Sequence, residues 1–470
     1  MRKTKIICTI GPACSNEETL EKMCLAGMNV ARLNFSHGSH EEHKKRIEML
    51  KSVRDRLGVP LAIMLDTKGP EYRIGLFADG KCEIKEGQKF TFTTDDVVGD
   101  ETRVSVSYKQ LAKELAAGDT ILVNNGLLIF TVDEIKGNDI ITTVVEGGVI
   151  SDRKSMSFPG HVLKQEYLSK QDEKDIIFGI QNDIDFIACS FVSHRSDLVA
   201  IKNLLKKNGG ENIELIAKIE NRAGIDNIEE ICDECSGVMI GRGDMGVEIP
   251  FEELPAIQKQ IITKCRMLGK RVITATEMLE SMITNPRPTR AEISDVANAV
   301  FDGSSAIMLS GETAAGKNPV LTVKTMAKIA EFTENSIHYQ KRFQRRELVI
   351  KNDMDAISHA ICGMAMDIDA KAIVVGSISG RTARMVSRFR PPIDIIGLSV
   401  NKKTFHQLAM SWGVVPVMCE IYPSIEVLFY NAALIAKTKL GLEAGSKIVI
   451  SGGTKTGESG QTNTIRIDTI

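Results

Sequence analysis

Eight short apolar runs punctuate the first two thirds of the chain, at residues 5–9, 29–35, 61–66, 184–191, 213–220, 237–243, 271–276 and 306–310, and each ends in polar residues. Six of the seven gaps between them carry helical patterns, with start-to-start spacings of about 24–35 residues that suit a strand, a helix and two loops. Ser15-Asn-Glu-Glu18, ahead of Leu20 and Met23, reads as a capping box opening the first helix, and Gly27 as its stop. Eight strand–helix units predict an α/β fold built on a closed (β/α)8 barrel, whose functional groups gather at the C-terminal strand ends.

The third gap alone is far longer and changes texture. Stretches 81–94, 103–107, 120–123, 127–132 and 140–145 are β-rich, with Asn125-Gly126 and Lys136-Gly-Asn-Asp139 as turns. They predict a small all-β lid domain inserted at the barrel mouth. The expected organisation is a barrel from 1–69 and 166–344, an inserted β-barrel lid from 70–165 and a C-terminal α/β domain from 345–470. In that last part the polar loop Gly376-Ser-Ile-Ser-Gly-Arg-Thr382 joins a strand pattern to a helical one. Such a loop either binds phosphate on backbone amides or simply caps the helix.

At 470 residues the chain is too long for one core, and its 59 basic against 61 acidic residues give no electrostatic reason to expect a nucleic acid or an anionic membrane as partner. The basic start at Met1 is cut short by Gly11-Pro12, well short of a signal-peptide core or a membrane span, so a cytoplasmic location is expected. The ten cysteines are scattered through apolar segments and read as reduced core thiols. Cys232-Asp-Glu-Cys235 has metal or redox spacing but no second pair beside it.

Two motifs mislead. Gly241-Arg-Gly-Asp-Met-Gly246 fits the dinucleotide pattern, but Asp244 would set a carboxylate against pyrophosphate, and Val247-Glu-Ile-Pro250 does not look like the opening of a helix. Gly311-Glu-Thr-Ala-Ala-Gly-Lys-Asn318 nearly matches a P-loop, but Asn318 stands where a hydroxyl should hold magnesium.

The strand ends carry the chemistry. They present Ala31-Arg-Leu-Asn-Phe-Ser-His-Gly38, Leu65-Asp-Thr-Lys-Gly-Pro-Glu-Tyr-Arg73, Ala217-Lys-Ile-Glu-Asn221, Gly241-Arg-Gly-Asp244, Thr276 and Ser310-Gly-Glu312. Lys218 and Glu220 are two apart, so both face the barrel interior at its rim. Such charges are costly to bury unless they neutralise one another or a ligand. Glu220 and Asp244 offer hard oxygens to a magnesium ion that keeps waters and bridges to substrate, while Arg32, Arg73 and Lys218 offer positive charge to a phosphoryl group in flight.

These segments, with Asn285-Pro-Arg-Pro-Thr-Arg-Ala-Glu292 and Met308-Leu-Ser-Gly-Glu-Thr313, resemble the pyruvate kinase family in order and spacing, across residues 1–470. The resemblance implies phosphoryl transfer from phosphoenolpyruvate to ADP, giving pyruvate and ATP. It implies that Glu220 and Asp244 hold Mg2+, that Arg32 and Arg73 contact the phosphoryl group and that Lys218 stabilises its charge. Thr276 and Ser310 would carry a proton relay. Amides around Gly243 and Asp244 would receive the substrate carboxylate. Asn34, Ser36, Asp66 and Thr67 would cage K+, with Glu71 the choice of potassium-dependent members, and Asn34, His37, Arg73 and Lys154 would face the nucleotide. Ser377, Ser379, Gly380, Arg381 and Thr382 resemble an effector loop for a sugar phosphate or nucleotide, with residues 452–460 as its second wall. A homotetramer is the family's usual assembly.

Several positions depart from the family. Asn124-Asn125-Gly126 replaces Asp-Asp-Gly at the lid, which removes a charge-assisted pair with Arg32 and weakens closure by roughly 1.5–3 kcal/mol if that contact is dry. Ile74 is more typical of potassium-independent members, and Tyr72, Ser155, Ser157, Glu277 and Ser305 also differ from the usual residues. Two rivals stay open. One is another barrel enzyme acting on an enol phosphate or 2-oxo acid, which would not need the lid. The other is a catalytically weakened metabolite sensor that binds phosphoenolpyruvate without turnover.

Overall fold

The computed structural model describes residues 1–470 except 162, 345–348, 456–459 and 461. Eight strands, β1 (Lys5–Thr9), β2 (Val30–Asn34), β3 (Ala62–Asp66), β4 (Phe186–Cys189), β5 (Glu214–Ile219), β6 (Gly237–Gly241), β7 (Arg271–Ala275) and β8 (Ala306–Leu309), close into one parallel barrel in which β1 pairs with both β2 and β8. Nearly every residue in them is buried, because one face meets the barrel interior and the other the surrounding helices. Ile7, Met64, Phe186, Ile216, Met239 and Ile273 fill the interior, and Met410 from the C-terminal part of the chain plugs its base.

The first helix, Glu17–Ala26, is capped by Asn16, whose side chain accepts the Thr19 amide. The expected cap, Ser15, instead donates its hydroxyl to the Gly11 carbonyl at 2.7 Å, closing a tight turn over Pro12–Cys14. A second difference concerns Gly241-Arg-Gly-Asp-Met-Gly246. This stretch forms a seven-residue helix, Arg242–Glu248, despite its two internal glycines. The Arg242 side chain, bonded to the Ala275 carbonyl and to Asp295, anchors this glycine-rich turn against its poor helix propensity.

Between β3 and the helix Lys170–Gln181 the chain forms a seven-stranded sheet ordered Tyr72–Arg73, Ser155–Ser157, Thr120–Val123, Leu128–Lys136, Asp139–Glu146, Lys89–Thr93 and Arg103–Ser105. Its two edge strands meet through the single Ile74–Val106 bridge, so the sheet curls almost shut around Phe90, Phe92 and Phe130, whose ring centroids lie 4.9–5.7 Å apart. A separate two-stranded sheet pairs Lys81–Ile84 with Gly148–Ser151.

The C-terminal sheet holds β9 (Ala372–Gly376), β10 (Asp394–Ser399), β11 (Val414–Met418), β12 (Lys447–Gly453) and β13 (Thr462–Thr469), in the order β11-β10-β9-β12-β13. Only β13 runs antiparallel. This unit packs on the barrel base through polar bonds as well as Met410. Lys5 Nζ donates to the Val414 carbonyl at 2.7 Å, and Arg271 donates to Ser411 Oγ and the Gln407 carbonyl, each at 3.1 Å. No helix among the described residues is long and apolar enough to cross a membrane.

Candidate active site

Lys218 stands near the end of β5 with its ammonium 3.0 Å from Glu220, 3.1 Å from Asp66 and 2.7 Å from the Ser190 hydroxyl. Burial alone would drive its pKa down, but Asp66 and Glu220 outweigh it and hold the group charged, above the ordinary lysine value. Asp66 ends β3 and is 1% exposed. Burial works against its charge too, but Arg32 and Lys218 reverse the balance and depress its pKa. Arg32, on β2, is buried at the barrel rim, where Nε donates to Asp66 Oδ2 at 2.6 Å and Nη1 to Thr9 Oγ1 at 2.9 Å.

Glu220 and Asp244 behave oppositely. Burial pushes the Glu220 carboxyl up, and although Lys218 pulls it back, Asp244 adds like-charge repulsion. Asp244, exposed at the start of the helix that follows β6, is raised as well, by partial desolvation of its carboxyl. Gly241 makes the room, since a Cβ there would meet Glu220 Oε1 at 2.7 Å. A buried carboxyl and an exposed one, both with raised pKa, form a donor set suited to a hard divalent cation, which would neutralise both. Among the described residues no group of three or more His, Cys, Asp or Glu is arranged to hold a metal, so these two would share the ion with oxygens from elsewhere.

The four expected potassium residues lie together around the ends of β2 and β3, where Asn34 pairs directly with Asp66 in register. Asn34 Oδ1 accepts the Ser36 amide at 3.1 Å, and Thr67 Oγ1 accepts the Ser190 amide at 3.1 Å. Oxygen-only donors beside one carboxylate fit a hard monovalent ion, although the Asp66 carboxylate already serves Arg32 and Lys218. Arg73 is not brought to Lys218; its guanidinium pairs with Glu71 and donates to the Arg153 carbonyl at 2.6 Å. His37 is exposed beyond β2, and Lys154 lies half-buried in the returning lid segment.

Thr276 and Ser310 follow β7 and β8. Thr276 (φ 69°) and Glu277 (φ 54°) are consecutive non-glycine residues in the left-handed region. For β-branched Thr276 this is a true outlier, with a cost of order 1–3 kcal/mol that persists only where surroundings enforce it. Its hydroxyl donates to the Ala275 carbonyl at 2.6 Å and accepts the Gly243 amide at 2.9 Å, so one amide expected to meet a substrate carboxylate is occupied by Thr276. Ser310 Oγ is buried without a hydrogen-bond partner, while its amide donates to Glu312 Oε2 at 2.6 Å.

Sequence reading gave no role to the end of β4. There Ser190 receives the Lys218 ammonium and donates to the Thr67 carbonyl at 2.6 Å, and Phe191, at φ 55°, donates its amide to Glu220 Oε2 at 2.8 Å. A polar residue at the C-terminal end of a barrel strand was the available signal. At the lid tip Asn124, Asn125 and Gly126 all have positive φ, which asparagine tolerates better than most side chains, and Ser155 Oγ donates to Asn125 Oδ1 at 3.1 Å.

Far from the barrel mouth, Ser377, Ser379, Arg381 and Thr382 line a cavity of about 520 Å³ in the C-terminal unit, with Gly380 (φ 70°) capping the helix Arg381–Arg388. Thr382 Oγ1 lies 2.8 Å from Thr462 Oγ1. Of the expected second wall, 452–460, residues 456–459 fall outside the described residues.

The profile of "Pyruvate kinase, barrel domain" matches residues 1–323, and that of "Pyruvate kinase, alpha/beta domain" matches residues 355–468. A pyruvate kinase of Clostridium acetobutylicum is 45% identical over 472 residues, covering all of both chains. One of Geobacillus stearothermophilus is 44% identical over 473 residues, covering all of this chain and 80% of the relative. The crystal structure of a pyruvate kinase from Cryptosporidium parvum superposes with a TM-score of 0.95 at 38% identity, covering all of this chain and 96% of that one.

Proposed function

The chain belongs to the pyruvate kinase family, and from that premise we propose that its barrel rim transfers the phosphoryl group of phosphoenolpyruvate to ADP, giving ATP and pyruvate as the last step of glycolysis. The observation that carries this reading is the Lys218 ammonium held between Asp66 and Glu220, with Asp244 near Glu220 in the helix that follows β6. A fixed cation there is paired well enough to stay charged, and it need not reorganise when negative charge appears beside it.

In this reading a terminal phosphate oxygen of ADP forms a bond to phosphorus while the bond from phosphorus to the enol oxygen breaks. Lys218 and Arg32 hold the charge of the phosphoryl group in transit, and Lys218 then faces the enolate oxygen. The enolate takes one proton at its methylene carbon, and the hydroxyls of Thr276 and Ser310 pass it in. The unpartnered Ser310 Oγ supports that assignment, since a buried hydroxyl without a protein partner is free to serve substrate or water. Glu220 and Asp244 would hold Mg2+, which when bound supplies Lewis-acid neutralisation of substrate oxygens. Asn34, Ser36, Asp66 and Thr67 would hold K+. Arg73, His37 and Lys154 would reach the nucleotide after lid movement, and the loop from Ser377 to Thr382 would take an anionic effector.

A coupled assay of pyruvate formation from phosphoenolpyruvate and ADP tests the reading, with magnesium, potassium and sugar phosphates varied in turn. Turnover that requires magnesium and falls in tetramethylammonium salts is the expected result. Binding of phosphoenolpyruvate without turnover would favour the sensor instead.

A further inference from the structure

We propose that Arg242 is a positioning residue for the proton-transfer half of the reaction, holding the strained Thr276 turn in register with Asp244. The inference rests on the function proposed above and concerns a side chain given no part in it.

Arg242 opens the helix Arg242–Glu248, and only 8% of it is exposed. Its guanidinium turns toward β7. Nε donates to the Ala275 carbonyl at 3.1 Å, and Nη2 donates to the Thr276 carbonyl. These are the two carbonyls flanking the Thr276 α-carbon, so one rigid fork fixes both peptide planes of the left-handed residue. Nη1 donates to Asp295 Oδ1 at 2.8 Å and to Gln258 Oε1 at 3.3 Å, which ties the fork to two flanking helices and balances its charge. The next residue, Gly243, donates its amide to Thr276 Oγ1, and the one after it is Asp244.

Three consecutive residues therefore grip three things. Arg242 grips the Thr276 backbone, Gly243 grips the Thr276 hydroxyl, and Asp244 faces Glu220. The spacing between the proposed relay hydroxyl and the proposed cation site is set by one short stretch of chain. An unanchored threonine at φ 69° would relax toward the ordinary regions and carry its hydroxyl away. Lysine cannot replace the fork, because a single ammonium lacks the planar array that spans two carbonyls and a carboxylate.

The test compares wild type with Arg242→Lys in two assays. One follows exchange of the pyruvate methyl protons with solvent deuterium by NMR in the presence of magnesium, potassium and ATP. The other measures kcat and KM for phosphoenolpyruvate in H2O and D2O. For Arg242→Lys, methyl exchange and kcat should fall at least ~10-fold, a part of the 10²–10⁴ that a positioned proton donor contributes. KM should stay within about twofold and the solvent isotope effect should rise, the pattern of a lesion felt after substrate binding. Exchange at the wild-type rate would overturn the proposal, as would a parallel loss of phosphoenolpyruvate affinity, which marks a merely structural role. If Arg242→Lys does not fold, Asp295→Asn carries the test. Asparagine keeps an acceptor for Nη1 but removes the charge that balances the guanidinium, so the double variant Asp295→Ala with Gln258→Ala, which removes both acceptors of the third arm and keeps the fork, is measured beside it. A few-fold loss of exchange with KM retained is expected in the double variant, whereas no change there would refute the proposal. Wild type lacking turnover altogether would defeat the functional reading, separately from this one.

Discussion

Glu214 and Glu220 sit at opposite ends of strand β5 and meet opposite fates. Glu214, at the barrel base, is gripped by Arg271 from β7 and by Arg384 from the helix Arg381–Arg388. Burial works against its charge, but the two guanidiniums prevail and hold its pKa below the ordinary carboxyl value. Glu220, at the rim, has its pKa raised by burial, which one cation, Lys218, shared with Asp66, does not offset and to which a second carboxyl, Asp244, adds. The base is a finished salt-bridge network linking two parts of the chain. The rim has one carboxyl too many, and that deficit of positive charge is what a cation and a phosphoryl-bearing substrate would satisfy. Burial of charge alone does not mark a functional site; burial without completed pairing does.

The largest effect expected from breaking this contrast is at Lys218. Replacement by Met should lower kcat by at least ~10²–10³, the loss seen when one preorganised donor to a developing oxyanion is removed. Steady-state turnover of pyruvate reads this directly, and near-normal rates would count against the rim as the reacting centre.

The base should answer in stability, not chemistry. Glu214→Gln leaves Arg271 and Arg384 without a carboxylate, a loss of up to about 3–5 kcal/mol for a buried pair, reduced here because the Glu214 side chain is 16% exposed. Denaturant unfolding should show it; an unchanged midpoint would mean the network is dispensable.

Glu220→Gln should do the reverse, raising the stability of the metal-free protein by about 0.5–2 kcal/mol while impairing turnover, the usual trade at a strained functional position. The pH dependence sharpens this. A raised folded pKa means the Glu220 contribution is fully present below its unfolded value of 4.5 and is lost as pH rises through the folded value. Glu214, depressed when folded, contributes above 4.5 and loses that contribution as pH falls. In EDTA, thermal unfolding should therefore show a decline toward neutral pH that Glu220→Gln flattens. Magnesium should restore wild type by mass action and leave the variant little changed.

The barrel was legible because parallel strands buried on both faces read as continuous apolar runs, and the structure trims each candidate run by no more than a few residues. Lys218 and Glu220 were legible because charged residues at the ends of such runs have no structural reason to be there. Asp66 entered only through the family resemblance, as a potassium ligand, and its pairing with Arg32 and Lys218 was not foreseen. Ser190 was not legible, since a lone serine after an apolar run looks like ordinary loop. Phe191 acts through its amide, which sequence does not reveal. Arg242 was hidden inside a glycine motif read only for what it failed to be, and its partners at Ala275, Thr276 and Asp295 lie more than thirty residues away. Met410 in the barrel base belongs to a segment that only tertiary packing brings there.

The rim's deficit of positive charge is most directly probed by Mn2+ binding, with free ion counted by electron paramagnetic resonance in wild type and in Glu220→Gln. One ion per chain should bind wild type, and affinity should fall at least ~10-fold in the variant, the lower end of what even an outer contact to a bound metal costs when removed. Equal affinity in the two proteins would mean that the carboxyl pair is not the cation site.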